Sequence, residues 1–169
     1  NVPVVAVQDI SVSLDANGAA TITYSDIDNG SADGCSAVED LVYQIDVSSF
    51  TCANIGPNNV VLTVTDEQNN SDSATAVVTI VDDSAPTVVA QNVTVALDAD
   101  GNGSVTAADI ENGSSDNCSD NANLTFAIDV NAFTCDNLGA NDVVLTVTDE
   151  QNNSATSTVT VTVVDNIDP

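Results

Sequence analysis

VVLTVTDEQNNS occupies residues 60–71, and the same twelve letters return unchanged at residues 143–154. The two stretches start 83 residues apart, and the same offset separates Cys35 from Cys118 without a gap. A constant period of this length is typical of a tandem array, in which one structural unit is repeated along the chain. An array argues for reach or for multiple contacts, because a single active site needs no copying.

The period also sets the domain boundaries. We predict one repeat at residues 1–83, a second at residues 84–166, and the start of a further repeat at residues 167–169. Pro86 prevents the last strand of the first repeat from continuing, and the linker before it is very short. We therefore expect successive repeats to stack end to end with limited bending.

Hydrophobic residues alternate with polar ones inside each repeat. Leu62 and Val64 alternate with Thr63 and Thr65, and this period of two buries one face of an antiparallel sheet. Turn-forming clusters recur at short spacing, and no segment carries a helical period. Roughly seven short strands in one repeat predict an all-β fold, with tandem immunoglobulin-like antiparallel Greek-key β-sandwiches.

All charged side chains of the chain are acidic. The chain has 26 acidic residues and no Lys, Arg or His, for a formal net charge of −26. This excludes nucleic-acid binding, which needs Lys and Arg to displace counterions, and it disfavours anionic membranes. High net charge with few aromatics would also suit a disordered chain, but 43% of residues are hydrophobic. Their alternation favours folded domains, which self-repulsion should keep extended and apart.

The four cysteines predict disulfides and an oxidising, extracellular compartment, because they are even in number and identically placed in each repeat. Equivalent points of successive repeats are about 30–40 Å apart, whereas a disulfide needs about 4.4–6.8 Å between Cα atoms. We therefore predict bridges within each repeat, Cys35 to Cys52 and Cys118 to Cys135. Metal binding by cysteine is disfavoured, because the chain has no CxxC pair and no His.

Carboxylates should gather where one repeat ends and the next begins. The chain leaves a sandwich of this type at the end opposite its entry, so the exit of the first repeat should lie near the entry-end loops of the second. Calcium suits such a cluster, because it accepts oxygen ligands in irregular geometry. The predicted ligands are Asp82, Asp83, Asp109, Asp116, Asp149 and Glu150. The alternative is that these are solvated turn residues.

A second calcium pattern lies in the second repeat. Asp98, Asp100, Asn102 and Asp109 match the spacing of an EF-hand loop. An EF-hand needs a flanking helix, however, and residues 93–97 have the pattern of a strand. We therefore favour a hairpin whose turn uses Gly101 and Gly103.

Catalysis has little support, because no His, Lys or Arg is present to act as a base or an electrophile. We predict that the chain is not an enzyme. No stretch is long and apolar enough to insert into a membrane.

The repeats resemble the hyalin-type and immunoglobulin-like repeats of giant surface adhesins from Bacteroidota, among them the gliding-motility adhesins of flavobacteria. The resemblance covers the whole chain, and its blocks recur in both copies. In the second copy they are LDADG (97–101), DIENGSSDNC (109–118), FTC (133–135), LTVTD (145–149) and VDN (164–166).

The resemblance implies secretion to the cell surface, long filaments, and attachment to surfaces. Its implied partners are neighbouring repeats, surface glycans or other filament chains. Ser73 and Ser84 stand in Asp-Ser-Ala triplets that resemble the O-glycosylation motif of that phylum. We therefore expect a structural or adhesive repeat of an extracellular filament, stiffened by calcium. A glycan- or protein-binding module and an accessory domain of a secreted enzyme are the alternatives.

Overall fold

The computed structural model describes residues 1–167 and divides into two compact units, Asn1–Asp83 and Ser84–Pro169. Asp168 and Pro169, on which the predicted start of a further repeat depends, lie outside the described residues.

Unit 1 is built from two sheets and one short helix. The longer sheet has the strand order β1-β6-β5-β3, and the second sheet pairs β2 with β4. Isolated bridges from Val4 to Ala32 and from Val7 to Asp28 lie outside these strands. The elements are β1 (Ile10–Ser13), β2 (Ala19–Thr21), α1 (Tyr24–Ile27), β3 (Val42–Ile45), β4 (Ser49–Thr51), β5 (Gly56–Thr65) and β6 (Ser71–Val81).

Unit 2 repeats this architecture. Its longer sheet has the order β7-β12-β11-β9, and its second sheet pairs β10 with β8. The elements are β7 (Val93–Ala96), β8 (Asn102–Ser104), α2 (Ala107–Ile110), β9 (Thr125–Ile128), β10 (Ala132–Thr134), β11 (Gly139–Thr148) and β12 (Ser154–Val164). Short 3₁₀ turns at Cys52–Asn54 and Cys135–Asn137 lead into β5 and β11.

The all-β class and the sandwich are confirmed, with two departures from the predicted pattern. The first is that β1 and β7 run parallel to β6 and β12, because each joins the outer edge of the last strand of its unit. The second is a single helical turn in each unit. Each turn begins with a capping box, Thr23 with Asp26 and Thr106 with Asp109, and four residues are too few to show a helical period.

The core of each unit follows the period of two. In β5, Val60, Leu62 and Val64 are fully buried, while the residues between them are partly exposed. Phe50 in unit 1 and Phe133 in unit 2 are the largest fully buried side chains. Their burial from the shorter sheet onto the longer one holds the two layers together, since aromatic burial dominates small cores.

Candidate cation-binding site

The hairpin turn between β11 and β12 is organised by one buried carboxylate. Asp149 is 5% exposed, and its Oδ1 accepts hydrogen bonds from the backbone N–H groups of Gln151 (2.9 Å) and Asn153 (2.7 Å). Its Oδ2 accepts from the Asn153 side-chain amide at 2.8 Å. Asn152 takes a positive φ of 69° in the same turn, which Asn tolerates better than most residues. The turn therefore presents a fixed carboxylate at this end of the unit.

A second carboxylate is held by the loop that precedes β9. Asp116 Oδ2 accepts from the backbone N–H groups of Cys118 and Ser119, each at 2.8 Å. The Ser119 hydroxyl accepts from the Glu150 N–H at 3.3 Å and so connects this loop to the hairpin turn. The Oδ1 atom of Asp116 is buried without a hydrogen-bond partner within the described residues.

Carboxylate oxygens of Asp116 and Asp149 lie within 4.8 Å of each other. Two like charges at this separation repel, and the chain has no Lys, Arg or His to neutralise them. A buried acceptor without a donor adds a desolvation cost. A hard cation with oxygen ligands would remove both costs, so this pair fits calcium chemistry.

Unit 1 has Asp33 and Asp66 at the equivalent positions of the repeat, and each is held by the same kind of local hydrogen bonds. Asp33 Oδ1 accepts from the N–H groups of Cys35 and Ser36, while its Oδ2 is buried without a partner in the described chain. Asp66 Oδ2 accepts from the Asn70 amide at 2.7 Å. This bond first, and the N–H groups of Asn70 and Gln68 after it, hold the pKa of Asp66 below its ordinary value of 3.8.

Sequence reasoning did not single out Asp33 and Asp66. The signal was present, because each lies 83 residues before a predicted ligand, Asp116 and Asp149. Applying the period to the ligand set would have found both residues.

The remaining predicted ligands have other local roles or stay predictions. The Asp109 carboxylate accepts from the hydroxyl and the N–H of Thr106 and so closes the cap of α2. Asp83 accepts from the Ser13 hydroxyl at 2.8 Å within unit 1. Participation of Asp82 and Asp83 in a cation site of the second repeat stays a prediction.

The residues that match an EF-hand pattern form a turn, but the hairpin that we favoured is not formed, because β7 pairs with β12 and β8 pairs with β10 in a different sheet. Asp98 Oδ1 accepts from the N–H groups of Asp100 and Asn102, and Gly101 takes a positive φ of 76°. The turn joins two strands, β7 and β8, and no helix precedes it.

The predicted disulfides within each repeat are wrong. Cys35 and Cys135 carry exposed free thiols. The physical reason is distance. In unit 2, Cys135 lies just before the ten-residue strand β11, whereas Cys118 adjoins Ser119, whose hydroxyl bonds to Glu150 just after β11. The strand spans about 30 Å. The prediction compared only equivalent points of successive repeats and did not ask which end of the sandwich each cysteine occupies.

The two predicted glycosylation sites differ in position. Ser73 is exposed in β6, and its triplet is not kept in the second copy, where Ala155, Thr156 and Ser157 stand. Ser84 is the first residue of unit 2. Modification of either serine stays a prediction.

Unit 1 also presents an aromatic pair. The rings of Tyr24 and Tyr43 stack with centroids 4.8 Å apart, and Tyr24 is 44% exposed. Burial raises the pKa of Tyr43, and the charge of Asp28 adds to the shift. The second copy has Ala107 and Phe126 at these positions, so the pair is not a property of the repeat.

The capping boxes lead to a prediction about how the stability depends on pH. The Thr106 hydroxyl first, and its N–H second, hold the pKa of Asp109 below 3.8. A depressed pKa in the folded state contributes stability that is present above the unfolded pKa and is lost as the pH falls through the folded one. We therefore expect Asp109→Asn to lower the melting temperature at pH 5–6, with the gap to wild type closing below pH 3.8.

Thermal melts by circular dichroism from pH 2 to 6 would measure this gap. Asp142→Asn, at an exposed position in β11, is the matched control for loss of one charge. A gap for Asp109→Asn that stays constant across the whole range would contradict the prediction.

Comparison with solved structures finds similarity to several cadherin domains. Cadherin domains EC1-4 of Drosophila N-cadherin align with a TM-score of 0.46 at 12% identity, over 92% of this chain and 48% of that one. Human Protocadherin-24 EC1-2 aligns with a TM-score of 0.46 at 11% identity, over 93% of this chain and 95% of that one. Protocadherin Gamma B7 domains 1-4 align with a TM-score of 0.41 at 12% identity, over 95% of this chain and 51% of that one.

No conclusion about this chain is drawn from this likeness, since every one of these TM-scores is below 0.5. The chain spans about half the length of the first of these structures. No protein-family model matches the chain, and no curated protein matches it. Within residues 1–167, no helix has the length and apolar character needed to cross a bilayer.

Proposed function

We propose that the chain is a non-enzymatic structural and adhesive segment of an extracellular filament, in which each repeat is one rigid link of a stalk. The observation that carries this is the gapless 83-residue period realised as two β-sandwich units of the same topology. Each additional repeat lengthens the stalk by one folded unit of the same structure. The surface-adhesin resemblance of the sequence supports the same function and a bacterial cell-surface location.

Calcium is the proposed stiffening ligand. The close carboxylates of Asp116 and Asp149 support this, together with the unpartnered buried oxygens of Asp116 and, at the equivalent position of unit 1, Asp33. A pair of carboxylates supplies only part of the six to eight oxygens that calcium takes. We propose that Asp82 and Asp83, which end the first repeat, complete the set for the second repeat.

A calcium titration of the full chain tests the proposal. Binding to the folded state alone stabilises by about 2.7 kcal/mol at a hundredfold excess over the dissociation constant. We expect calcium to raise the melting temperature and to increase the maximum dimension in small-angle X-ray scattering, relative to chelator at equal ionic strength. Identical melting curves and identical scattering with chelator and with excess calcium would overturn the calcium proposal.

Variants distinguish a site from bulk screening. Asp116→Asn removes the charge of the carboxylate whose Oδ1 has no hydrogen-bond partner in the described chain, and it should suppress most of the calcium response of unit 2. The double replacement of Asp82 and Asp83 by Asn should do the same. Asp120→Asn, at an exposed position nearby in sequence, should respond like wild type. Equal responses from all variants would assign the effect to screening of the net charge.

A glycan-binding module is the second candidate, favoured by the stack of the exposed Tyr24 on the half-buried Tyr43. Aromatic faces are suited to ring-shaped ligands, but this stack occurs in one copy only. A binding function carried by the repeat itself would need the aromatic pair in both copies. We therefore rank glycan recognition, and a role as an accessory domain of a secreted enzyme, below the stalk.

A further inference from the structure

The aromatic stack of unit 1 leaves one ring open to solvent. The rings of Tyr24 in α1 and Tyr43 in β3 are 4.8 Å apart between centroids, with 16° between their planes. Tyr43 covers one face of the Tyr24 ring, yet Tyr24 is 44% exposed. The exposed part of Tyr24 is therefore the opposite face of the ring and its edges.

Both rings are held in place by unit 1 itself. The Tyr43 hydroxyl donates to the Ser31 carbonyl oxygen at 3.5 Å, and the side chain of Tyr43 is half-buried. Tyr24 begins α1, and its carbonyl oxygen accepts from the Asp28 N–H at 2.9 Å. A ligand that contacts an ordered aromatic ring pays little for immobilising it. The stack is therefore a preformed contact surface.

Carboxylates surround this surface. Burial first, and the charge of Asp28 second, raise the pKa of Tyr43, so the Asp28 carboxylate lies near its ring. Asp26 belongs to the same helical turn as Tyr24, and the Thr23 N–H first and its hydroxyl second hold the pKa of Asp26 below 3.8. Both carboxylates belong to a chain without Lys, Arg or His. The surface combines an open aromatic face with a negative field.

We propose that Tyr24, Tyr43 and Asp28 form a tyrosine platform that binds an arginine side chain of a basic partner protein. A guanidinium group is planar, so it stacks on an aromatic face, and its N–H groups pair with a carboxylate. The net charge of −26 attracts a basic surface from a distance. A second copy of this chain has no basic side chain to offer. A neutral sugar would use the ring face but not the attraction of the net charge.

Unit 2 separates the contribution of the rings from that of the carboxylate. The two rings are replaced by Ala107 and Phe126, whereas the carboxylate is retained as Glu111. Glu111 Oε1 accepts from the N–H groups of Gly113 and Ser114, each at 2.6 Å. We therefore expect one specific arginine site per chain, in unit 1. The platform goes beyond the stalk function, because it belongs to one repeat only.

The platform reports its own occupancy, because Tyr24 and Tyr43 are the only tyrosines of the chain and Trp is absent. The full chain with isotopically labelled tyrosine is titrated by NMR with a short capped peptide that alternates glycine with arginine. We expect saturable shifts of both ring signals. The same peptide with lysine in place of arginine carries equal charge without a planar group, so it should bind more weakly.

Three outcomes of this titration would overturn the proposal. The first is the absence of ring shifts with the arginine peptide. The second is equal affinity for the arginine and lysine peptides, which would assign binding to the net charge alone. The third is a saturable shift with methyl glucoside but none with the arginine peptide, which would make the platform a sugar site. All titrations are done without calcium, so their failure and the failure of the calcium proposal are distinguishable.

Variants of the platform locate the binding, measured by the fluorescence anisotropy of a labelled arginine peptide. Tyr24→Ala should weaken binding about three- to tenfold, because a cation–π contact is lost. Tyr24→Phe keeps an aromatic face and should bind like wild type. Asp28→Asn should weaken binding by more than the control variant does. A Tyr24→Ala protein with wild-type affinity would refute the proposal, provided that far-UV circular dichroism shows it folded.

Asp9→Asn is the matched control for the loss of one charge. Asp9 Oδ1 accepts from the Val77 N–H at 2.7 Å, and at the equivalent position of unit 2 Asn92 Oδ1 accepts from the Thr160 N–H at 2.8 Å. The replacement therefore keeps a bond that the repeat already makes with Asn. Asp9 precedes β1, at the edge of the longer sheet opposite to β3. We expect Asp9→Asn to bind the arginine peptide like wild type.

The missing platform can also be built in unit 2. The double variant Ala107→Tyr with Phe126→Tyr places both rings beside the retained Glu111. We expect isothermal titration calorimetry to find two arginine peptides bound per chain where the wild type binds one. A folded double variant that still binds one peptide would contradict the assignment of the site to the stacked tyrosines.

Discussion

Replacing Phe133 by alanine is expected to cost unit 2 about 3–5 kcal/mol of unfolding free energy, the usual range for a buried phenylalanine. Phe133 is 1% exposed and pairs with Gly103 across β10 and β8, where no side chain stands opposite to fill the space it leaves. A Cβ at Gly103 would lie 2.7 Å from a Val95 methyl. The site is tightly packed around the ring, so it can relax little after truncation.

The expected loss of unfolding free energy is large relative to the total stability of the unit. At about 0.05–0.15 kcal/mol per residue, a repeat of this size has only about 4–12 kcal/mol in total. For a domain of this size each kcal/mol shifts the melting temperature by about 4–8 °C, so a fall of at least 12 °C is expected for unit 2. Differential scanning calorimetry of the full chain should show one transition moved and the other unchanged.

Two variants control this experiment. Phe50→Ala makes the matched truncation in unit 1, where Ala20 stands opposite, and it should move the other transition. Leu138→Ala removes a side chain that is 52% exposed and should change stability by no more than about 0.5 kcal/mol. A Phe133→Ala protein that melts like wild type would show that the ring is not a core element of its unit.

The fold class could be predicted from the sequence because the alternation of buried and exposed residues along a strand is a local property of the chain. Leu62 and Val64 are fully buried in β5, as their alternation predicted. The helix α2 was not predicted because a single turn, fixed by Thr106 and Asp109, is too short to show a helical period of hydrophobic residues. The parallel pairing of β1 with β6 was not predicted because the direction of pairing depends on which edge of the sheet a strand joins. That is a non-local property of the fold.

The site was partly predictable for the same reason. Asp116 and Asp149 were named from topology, since loops at one end of a sandwich converge. The predicted disulfide pairing was wrong because the number of residues between two cysteines does not show at which end of the unit each one lies. Cys118 and Cys135 are only 17 residues apart, yet the chain between them travels from one end of the unit to the other.

The turn carboxylate gives the second large effect. We expect Asp149→Ala to destabilise unit 2 by about 3 kcal/mol, because three hydrogen bonds to a charged acceptor are lost and each contributes about 1–1.5 kcal/mol or more. The loss should exceed that of an ordinary turn residue, since two of the donors are backbone N–H groups of the turn itself. Urea unfolding in the presence of chelator measures it without any contribution from bound calcium.

Asp149→Asn separates geometry from charge in the same turn. The Asn oxygen can still accept from the N–H groups of Gln151 and Asn153, while the bond to the Asn153 side-chain amide is lost. We therefore expect about 1 kcal/mol of destabilisation, well below that of Asp149→Ala. Asp120→Ala, at an exposed position in the loop before β9, should be near neutral. If Asp149→Ala were as stable as Asp149→Asn, the turn would not depend on this carboxylate, and the entry end of the unit would lack the preformed ligand that the calcium proposal requires.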